Sequence, residues 1–296
     1  MPDAVERAGG ELAAGLYVGN GFGKLIGATQ LVELGVIETP IVLTGTLSAF
    51  RAADALVSYM LDLPGNEKTR TVNPVVGETN DGYLSDIRAR PITEQHVLSA
   101  ITEARTGPVA QGCVGAGAGT AALGFKAGIG TASRRLRLPD GEPGTLGVLV
   151  QANFSGTLTV RGVRIEPPEP EADDADGNSC MIIIAVDRAL DSRQLTRVAR
   201  RAVFAMGEVG SGFSPYSGDY AIAFAAAQHP PVPESRPKPH LRRCGRRNDR
   251  GDPQLPVHGY HHNRPQWPHQ SRCPHRPRHP GDRLGVLNCI RALLMQ

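Results

Sequence analysis

A layered α/β sandwich is the fold class this sequence predicts, and three observations predict it. Short apolar runs of strand length alternate along the chain with stretches of helical periodicity. The best-defined helical stretch is apolar on one face and arginine-rich elsewhere, the pattern of a helix lying on a sheet. A hydrophobic content of 40% with only 5% aromatics points to sheets built from small residues at close spacing.

In order along the chain, Pro40 to Thr44 reads as a buried strand, followed by a helix from Ser48 to Leu61 with Ala49, Ala52, Leu56 and Met60 near helical spacing. Arg70 to Val76 reads as a short strand. Thr93 is placed to cap a helix carrying Val97, Ile101 and Ala104 on one face. Thr145 to Phe154 and Thr157 to Ile165 read as two strands of a hairpin turning at Ser155-Gly156. The apolar run Met181 to Val186 is the central strand. Asp191 with Gln194 three residues on has capping-box spacing, opening a helix whose Leu195, Val198, Ala199, Ala202, Val203 and Met206 share a face. Arg193, Arg197, Arg200 and Arg201 mostly point elsewhere, and Tyr220 to Ala227 supplies a further small-residue strand.

At 296 residues the chain has material for one large domain or two small ones. The net charge of +3 hides an uneven division: residues 229–296 hold 13 Lys+Arg against 4 Asp+Glu, a balance of +9, while the remainder stands at −6. No run approaches the ~20 apolar residues of a membrane span, and residues 1–11 lack the apolar segment of a secretory signal. Five cysteines, at 113, 180, 244, 273 and 289, show no CxxC spacing, which suits reduced thiols in a cytoplasm.

The most informative stretch is Gly177-Asn178-Ser179-Cys180. It closes a segment, Glu166 to Asp176, with six carboxylates and three prolines in eleven residues, a composition that predicts an exposed, mobile linker. The central strand starts at once beyond it, with a hydroxyl residue at its head. That is the arrangement required if the chain is cut before Ser179, because the freed α-amine then sits on the residue that carries the nucleophile. Its unperturbed pKa near ~8 leaves a useful neutral fraction to accept the hydroxyl proton. Taken alone, the junction also suits a serine at an ordinary loop-to-strand turn, and Cys180 is a competing thiol nucleophile.

Neighbouring segments decide between these readings. Gly77-Glu78-Thr79-Asn80-Asp81-Gly82, Gly128 to Ser133, Val150-Gln151-Ala152-Asn153 and Ser217-Gly218-Asp219 stand in a familiar order around Asn178-Ser179. From about Gly19 to Ala227 the chain resembles the L-aminopeptidase/D-amino-acid esterases, a family that includes β-peptidyl aminopeptidases and, more distantly, nylon-oligomer hydrolases. The resemblance implies a four-layer α/β/β/α sandwich of the self-processing N-terminal-nucleophile-like type. It implies a precursor cut between Asn178 and Ser179, with Ser179 as nucleophile and no metal or other cofactor. Asn153 would serve as oxyanion or substrate-positioning donor. Asp219 would hold the substrate ammonium or orient the Ser179 amine, with Ser217 relaying a hydrogen bond. Lys126 matches a lysine of the nylon-oligomer hydrolases. Asn80 stands where several close relatives carry Tyr, which implies a roomier pocket. Expected substrates are short peptides, amino-acid amides or esters, and the processed pairs are expected to self-associate.

A nucleotide reading of Gly117-Ala118-Gly119-Thr120-Ala121-Ala122 fails, because no strand leads into it and no acidic strand end follows about twenty residues on. The domain is expected over 1–228, with residues 1–178 as the larger subunit and the smaller one starting at 179. Residues 229–296 hold 8 of the 9 histidines and 12 of the 24 prolines. The resemblance implies an amphipathic helix here, so they read as an altered reading frame, and an inactive remnant of the family is the alternative to a working enzyme. The upstream side likewise reads as shortened. A basic arm for nucleic acid is the alternative for the tail; a metal tract is disfavoured, since His258, His261, His262, His269 and His275 lack regular ligand spacing.

Overall fold

The computed structural model describes residues 10–137, 141–167 and 179–227. All of these belong to one unit; a second, residues 231–280, lies outside the described residues. The tail expected to be independent of the domain, and Asn178 with most of the acidic linker, also lie outside them.

The chain opens with β1 (Leu12–Gly21), β2 (Leu25–Ile26), α1 (Ala28–Leu34), β3 (Val36–Ile37), β4 (Ile41–Gly45) and α2 (Ala49–Asp62). It continues through β5 (Val75–Thr79), α3 (Glu94–Thr102), β6 (Ala121–Ala122), β7 (Phe125–Lys126), β8 (Ile129–Arg137) and β9 (Pro143–Ala152). It ends with β10 (Thr159–Val160), β11 (Val163–Arg164), β12 (Cys180–Val186), α4 (Ser192–Glu208) and β13 (Gly218–Ala225). Six strands form one sheet in the order β3-β1-β13-β12-β9-β8, and three form another in the order β2-β5-β4.

The alternation of side chains along each strand explains why two sheets stack. On β12, Cys180, Ile182 and Ile184 face α4, whereas Met181 and Ile183 face the three-stranded sheet. On β13, Ala221, Ala223 and Ala225 face α4, and Tyr220 and Ile222 face the other sheet. Between the sheets, Leu12, Ala14, Leu16, Val75, Met181 and Ile222 form one core. Met181 reaches the backbone of β5 at Gly77, where a Cβ would collide with its terminal methyl. On the far side, Ala49, Ala52, Leu56 and Met60 of α2 pack with Val97 of α3 onto Val76. The layers are therefore α4, six strands, three strands, and α2 with α3: the α/β/β/α sandwich expected.

Both caps form as expected in outline. The Asp191 carboxylate accepts from Gln194 N–H at 2.7 Å and Gln194 Oε1 accepts from Asp191 N–H at 2.9 Å. At α3, His96 takes the return role, its Nδ1 accepting from Thr93 N–H at 3.1 Å.

Two expectations are corrected. The strand expected at Arg70 to Val76 starts only at Val75, after Pro74, which has no N–H to give a ladder. The hairpin expected from Thr145 to Ile165 does not form. Instead β9 pairs with β12 on one side and with β8 on the other. The chain turns away after Phe154, its Thr157 and Thr159 N–H groups donating to Gly210 and Val209 at the end of α4, and β10–β11 is a separate small hairpin. The glycine-rich approach to β8 concealed that strand in the sequence.

Candidate active site

Four strand ends reach one row at the edge of the six-stranded sheet. Strand pairing sets Cys180 opposite Asp219 on one side and opposite Ala152 on the other, while Gly21 lies opposite Gly218. One step outward, Ser179 falls between Gly218 and Asn153. By the alternation along β12 and β9, Ser179 and Asn153 share the parity of Met181 and Gln151, which point between the sheets.

Ser179 is buried, and its Oγ accepts from Gly218 N–H at 3.2 Å. Its φ of +125° is a conformation that non-glycine residues rarely adopt. Gly218 must be glycine: a Cβ there would lie 2.5 Å from Gly23 Cα and 3.1 Å from Ser179 Oγ.

Asn153 is held at both ends of its amide. Its Oδ1 accepts from Ala121 N–H at 3.0 Å and its Nδ2 donates to Asn80 O at 2.7 Å. That leaves one N–H of the amide for another acceptor. Gln151, two residues earlier, ties the layers together through Nε2, which contacts Thr79 Oγ1 at 2.7 Å and Ala116 O at 3.1 Å.

Ser217 and Asp219 form a buried pair, with Ser217 Oγ donating to Asp219 Oδ1 at 2.7 Å. Asn20 Nδ2 donates to the other carboxylate oxygen at 2.9 Å, and the backbone N–H of Cys180 donates to the same group. Burial raises the Asp219 pKa from its ordinary value, opposed by the hydrogen bonds from Ser217, Asn20 and Cys180. Asp219 is thus seated against the backbone of the residue that follows Ser179. Burial, with the Asp219 charge second, pushes the Cys180 thiol well up. Its side chain faces the α4 core, so Cys180 is a neutral, enclosed thiol and a poor rival nucleophile.

Two expected substrate-binding residues sit differently. Asn80 faces Asn153 with its backbone carbonyl, and its own Oδ1 accepts from Gly82 N–H at 3.2 Å. Lys126 spends its ammonium on the backbone carbonyls of Gly117, Thr120 and Ala127, bracing the glycine-rich loop.

Reading the sequence missed Asn20 and Glu78. Glu78 is 1% exposed; its Oε1 accepts from Lys24 N–H at 2.6 Å, while Oε2 has no partner among the described residues. Glu78 Oε1 lies 3.0 Å from where a Cβ on Gly23 would stand, and Gly23 is the residue packed on Gly218. Glu78 lies in a segment already singled out, Gly77 to Gly82, and Asn20 at the start of the resemblance, but nothing local distinguishes them. Among the described residues no group of three or more His, Cys, Asp and Glu is placed to hold a metal ion, and no helix is long and apolar enough to cross a membrane.

Comparison with known proteins identifies the family. The family model described as peptidase family S58 matches residues 2–252, wider at both ends than the motifs in the sequence. The beta-peptidyl aminopeptidases BapA of Sphingosinicella microcystinivorans and Sphingosinicella xenopeptidilytica are each 37% identical, over 236 and 239 residues. Those alignments cover 72% and 75% of this chain, but the chain spans only 58% and 59% of those relatives' length. Among solved structures, the L-aminopeptidase D-Ala-esterase/amidase of Ochrobactrum anthropi, described as a variant of the Ntn hydrolase fold, superposes with a TM-score of 0.69 at 34% identity. That match covers 76% of this chain and 63% of that one. A Burkholderia sp. beta-aminopeptidase superposes with a TM-score of 0.68 at 30% identity, covering 98% of this chain and 73% of its own. By its sequence and by its four layers, the chain belongs to peptidase family S58.

Proposed function

We propose that this chain is the precursor of a serine aminopeptidase that cuts itself between Asn178 and Ser179. It then releases N-terminal residues from short peptides, amino-acid amides or esters. The observation that carries the reading is the seat of Ser179, a buried serine with φ of +125° heading the central strand between Gly218 N–H and Asn153. In the first reaction Ser179 Oγ adds to the Asn178 carbonyl carbon and the C–N bond breaks. The hydroxyl proton ends on the departing amine, leaving an ester. Water hydrolyses the ester, giving a carboxylate at Asn178 and restoring the Ser179 hydroxyl beside a free α-amine.

That amine, neutral in part near pH ~8, is the base of the second reaction. Asp219, already accepting from Cys180 N–H, is seated to orient it, and Ser217 and Asn20 hold Asp219 in place. Both reactions build charge on a carbonyl oxygen, and the spare N–H of Asn153 is the donor for it. Glu78 already has the Lys24 ammonium 4.0 Å from Oε1, and its second oxygen, Oε2, is left to receive the ammonium of the substrate. The processed pairs are proposed to self-associate through exposed apolar side chains such as Phe50 and Val32.

Denaturing gels and N-terminal sequencing test the processing. Wild-type protein is expected to yield a fragment beginning Ser-Cys-Met-Ile, and Ser179→Ala to remain one chain. A hydrolytically active wild type that stays intact refutes the mechanism.

A further inference from the structure

Phe22 and Tyr216 belong to none of the three cores. Phe22 is 67% exposed and Tyr216 64%, yet their rings meet edge to face, with centroids 5.5 Å apart and planes at 84°. Single exposed aromatics need no explanation, but a touching pair at the rim of a buried polar site does.

Their backbones root them at that site. Phe22 follows Gly21, which ends β1 opposite Gly218, and its N–H donates to Ser217 O at 3.3 Å. Tyr216 immediately precedes Ser217, in a turn closed by Ser217 N–H to Ser214 O at 2.9 Å. On the other strand the Tyr220 hydroxyl donates to Gly23 O at 2.7 Å. Anchored chain therefore carries both rings.

The two glycines that adjoin the polar groups set the direction. Gly23, the residue after Phe22, lies against the Glu78 carboxylate; Gly218, two residues after Tyr216, lies against Ser179 Oγ. An amino acid with its ammonium at Glu78 and its carbonyl at Ser179 has its Cα over the Gly23–Gly218 contact. Its side chain is then left to leave past positions 22 and 216. We infer that Phe22 and Tyr216 form the subsite for the side chain of the released residue, and that the subsite favours aromatic and large aliphatic residues over glycine. This rests on the hydrolase reading of Ser179 given above.

The test compares full-length wild type, Phe22→Ala, Tyr216→Ala and the double variant on the p-nitroanilides of glycine, alanine, leucine and phenylalanine. Gels report processing of each in parallel. Wild type is expected to prefer phenylalanine and leucine. The double variant should lower the phenylalanine-to-glycine ratio of kcat/KM by about tenfold or more, the range one apolar contact commands, with the glycine value within about threefold of wild type. A wild type that is processed and active but indifferent to the side chain overturns the subsite and leaves the hydrolase reading standing. So does a double variant in which all four substrates fall together. A wild type that hydrolyses none of the four overturns the hydrolase reading, and the subsite falls with it.

Discussion

Asn153 bridges two backbone groups and, in the proposed reaction, also serves the oxyanion; substitution can separate the two. It is 1% exposed, and its amide holds Ala121 N–H at 3.0 Å and Asn80 O at 2.7 Å. Alanine there orphans a donor and an acceptor, at ~1–3 kcal/mol for each buried group left without a partner. The loss falls at about 2–6 kcal/mol, a large part of the ~5–15 kcal/mol that holds a domain folded. If the spare N–H also serves the oxyanion, self-cleavage slows further by about 10²–10³-fold. Asn153→Asp keeps an acceptor for Ala121 but has no N–H to give, so it slows cleavage while losing less of the local bonding. The assay is a time course of fragment appearance on denaturing gels, beside urea midpoints measured in a Ser179→Ala background. A variant whose midpoint falls as expected, yet which cleaves within about threefold of wild type, would show that Asn153 is a structural bridge alone.

Three more outcomes are expected. Gly218→Ala forces a methyl to 2.5 Å from Gly23 Cα and should cost about 1–3 kcal/mol by overpacking, read as a lower Tm with slowed cleavage. The pH dependence of Asp219 has a definite sign: with its pKa raised, the native state binds a proton that the unfolded chain has released, so its contribution to stability falls as pH rises. In uncut Ser179→Ala protein, adding Asp219→Asn should therefore improve relative stability from about pH 4 to about pH 7, whatever the offset between the two; a flat difference contradicts the burial argument. For the processed enzyme, the rate should rise with pH through the α-amine pKa and level off, unaffected by chelators; a chelator-sensitive rate restored by zinc would refute the amine as base.

The layers were legible because they follow from side-chain alternation and helical periodicity, which are local. Met181 to Val186 reads as a doubly buried strand, and the stripe from Leu195 to Met206 reads as a helix on a sheet, with no need of their partners. What could not be read is pairing. Nothing near Thr145 to Phe154 says that it pairs with β12, about thirty positions on, and back with β8, which ends at Arg137, rather than with the segment just beyond it. The site divides in the same way. Ser179, Asn153, Ser217 and Asp219 stood out in motifs, and the sheet sets them in neighbouring strands. Asn20 and Glu78 are tied to it only by contacts across 199 and 54 residues, to Asp219 and Lys24. The bracing contacts of Lys126 were not legible because its three acceptors are backbone carbonyls, which carry no residue signature.

The backbone at Ser179 joins fold and chemistry more closely than any side chain. Its φ of +125° costs of the order of 1–3 kcal/mol in a non-glycine residue. It cannot relax locally, because the strand that begins at Cys180 is paired along its whole length on both sides and buried in two cores. That torsion is defined through the carbonyl carbon of Asn178, the atom attacked in the proposed cleavage. Once the bond is cut, Ser179 has no preceding carbonyl and the constraint no longer exists. The strain is thus present in the precursor and absent from the product. At 1.4 kcal/mol per factor of ten, ~1–3 kcal/mol is worth about 5- to 150-fold in the equilibrium between them. The same pairing that makes the strand stable would thus favour the proposed cut at its head and leave the new amine beside Asp219, whose raised pKa an ammonium neighbour would draw back down.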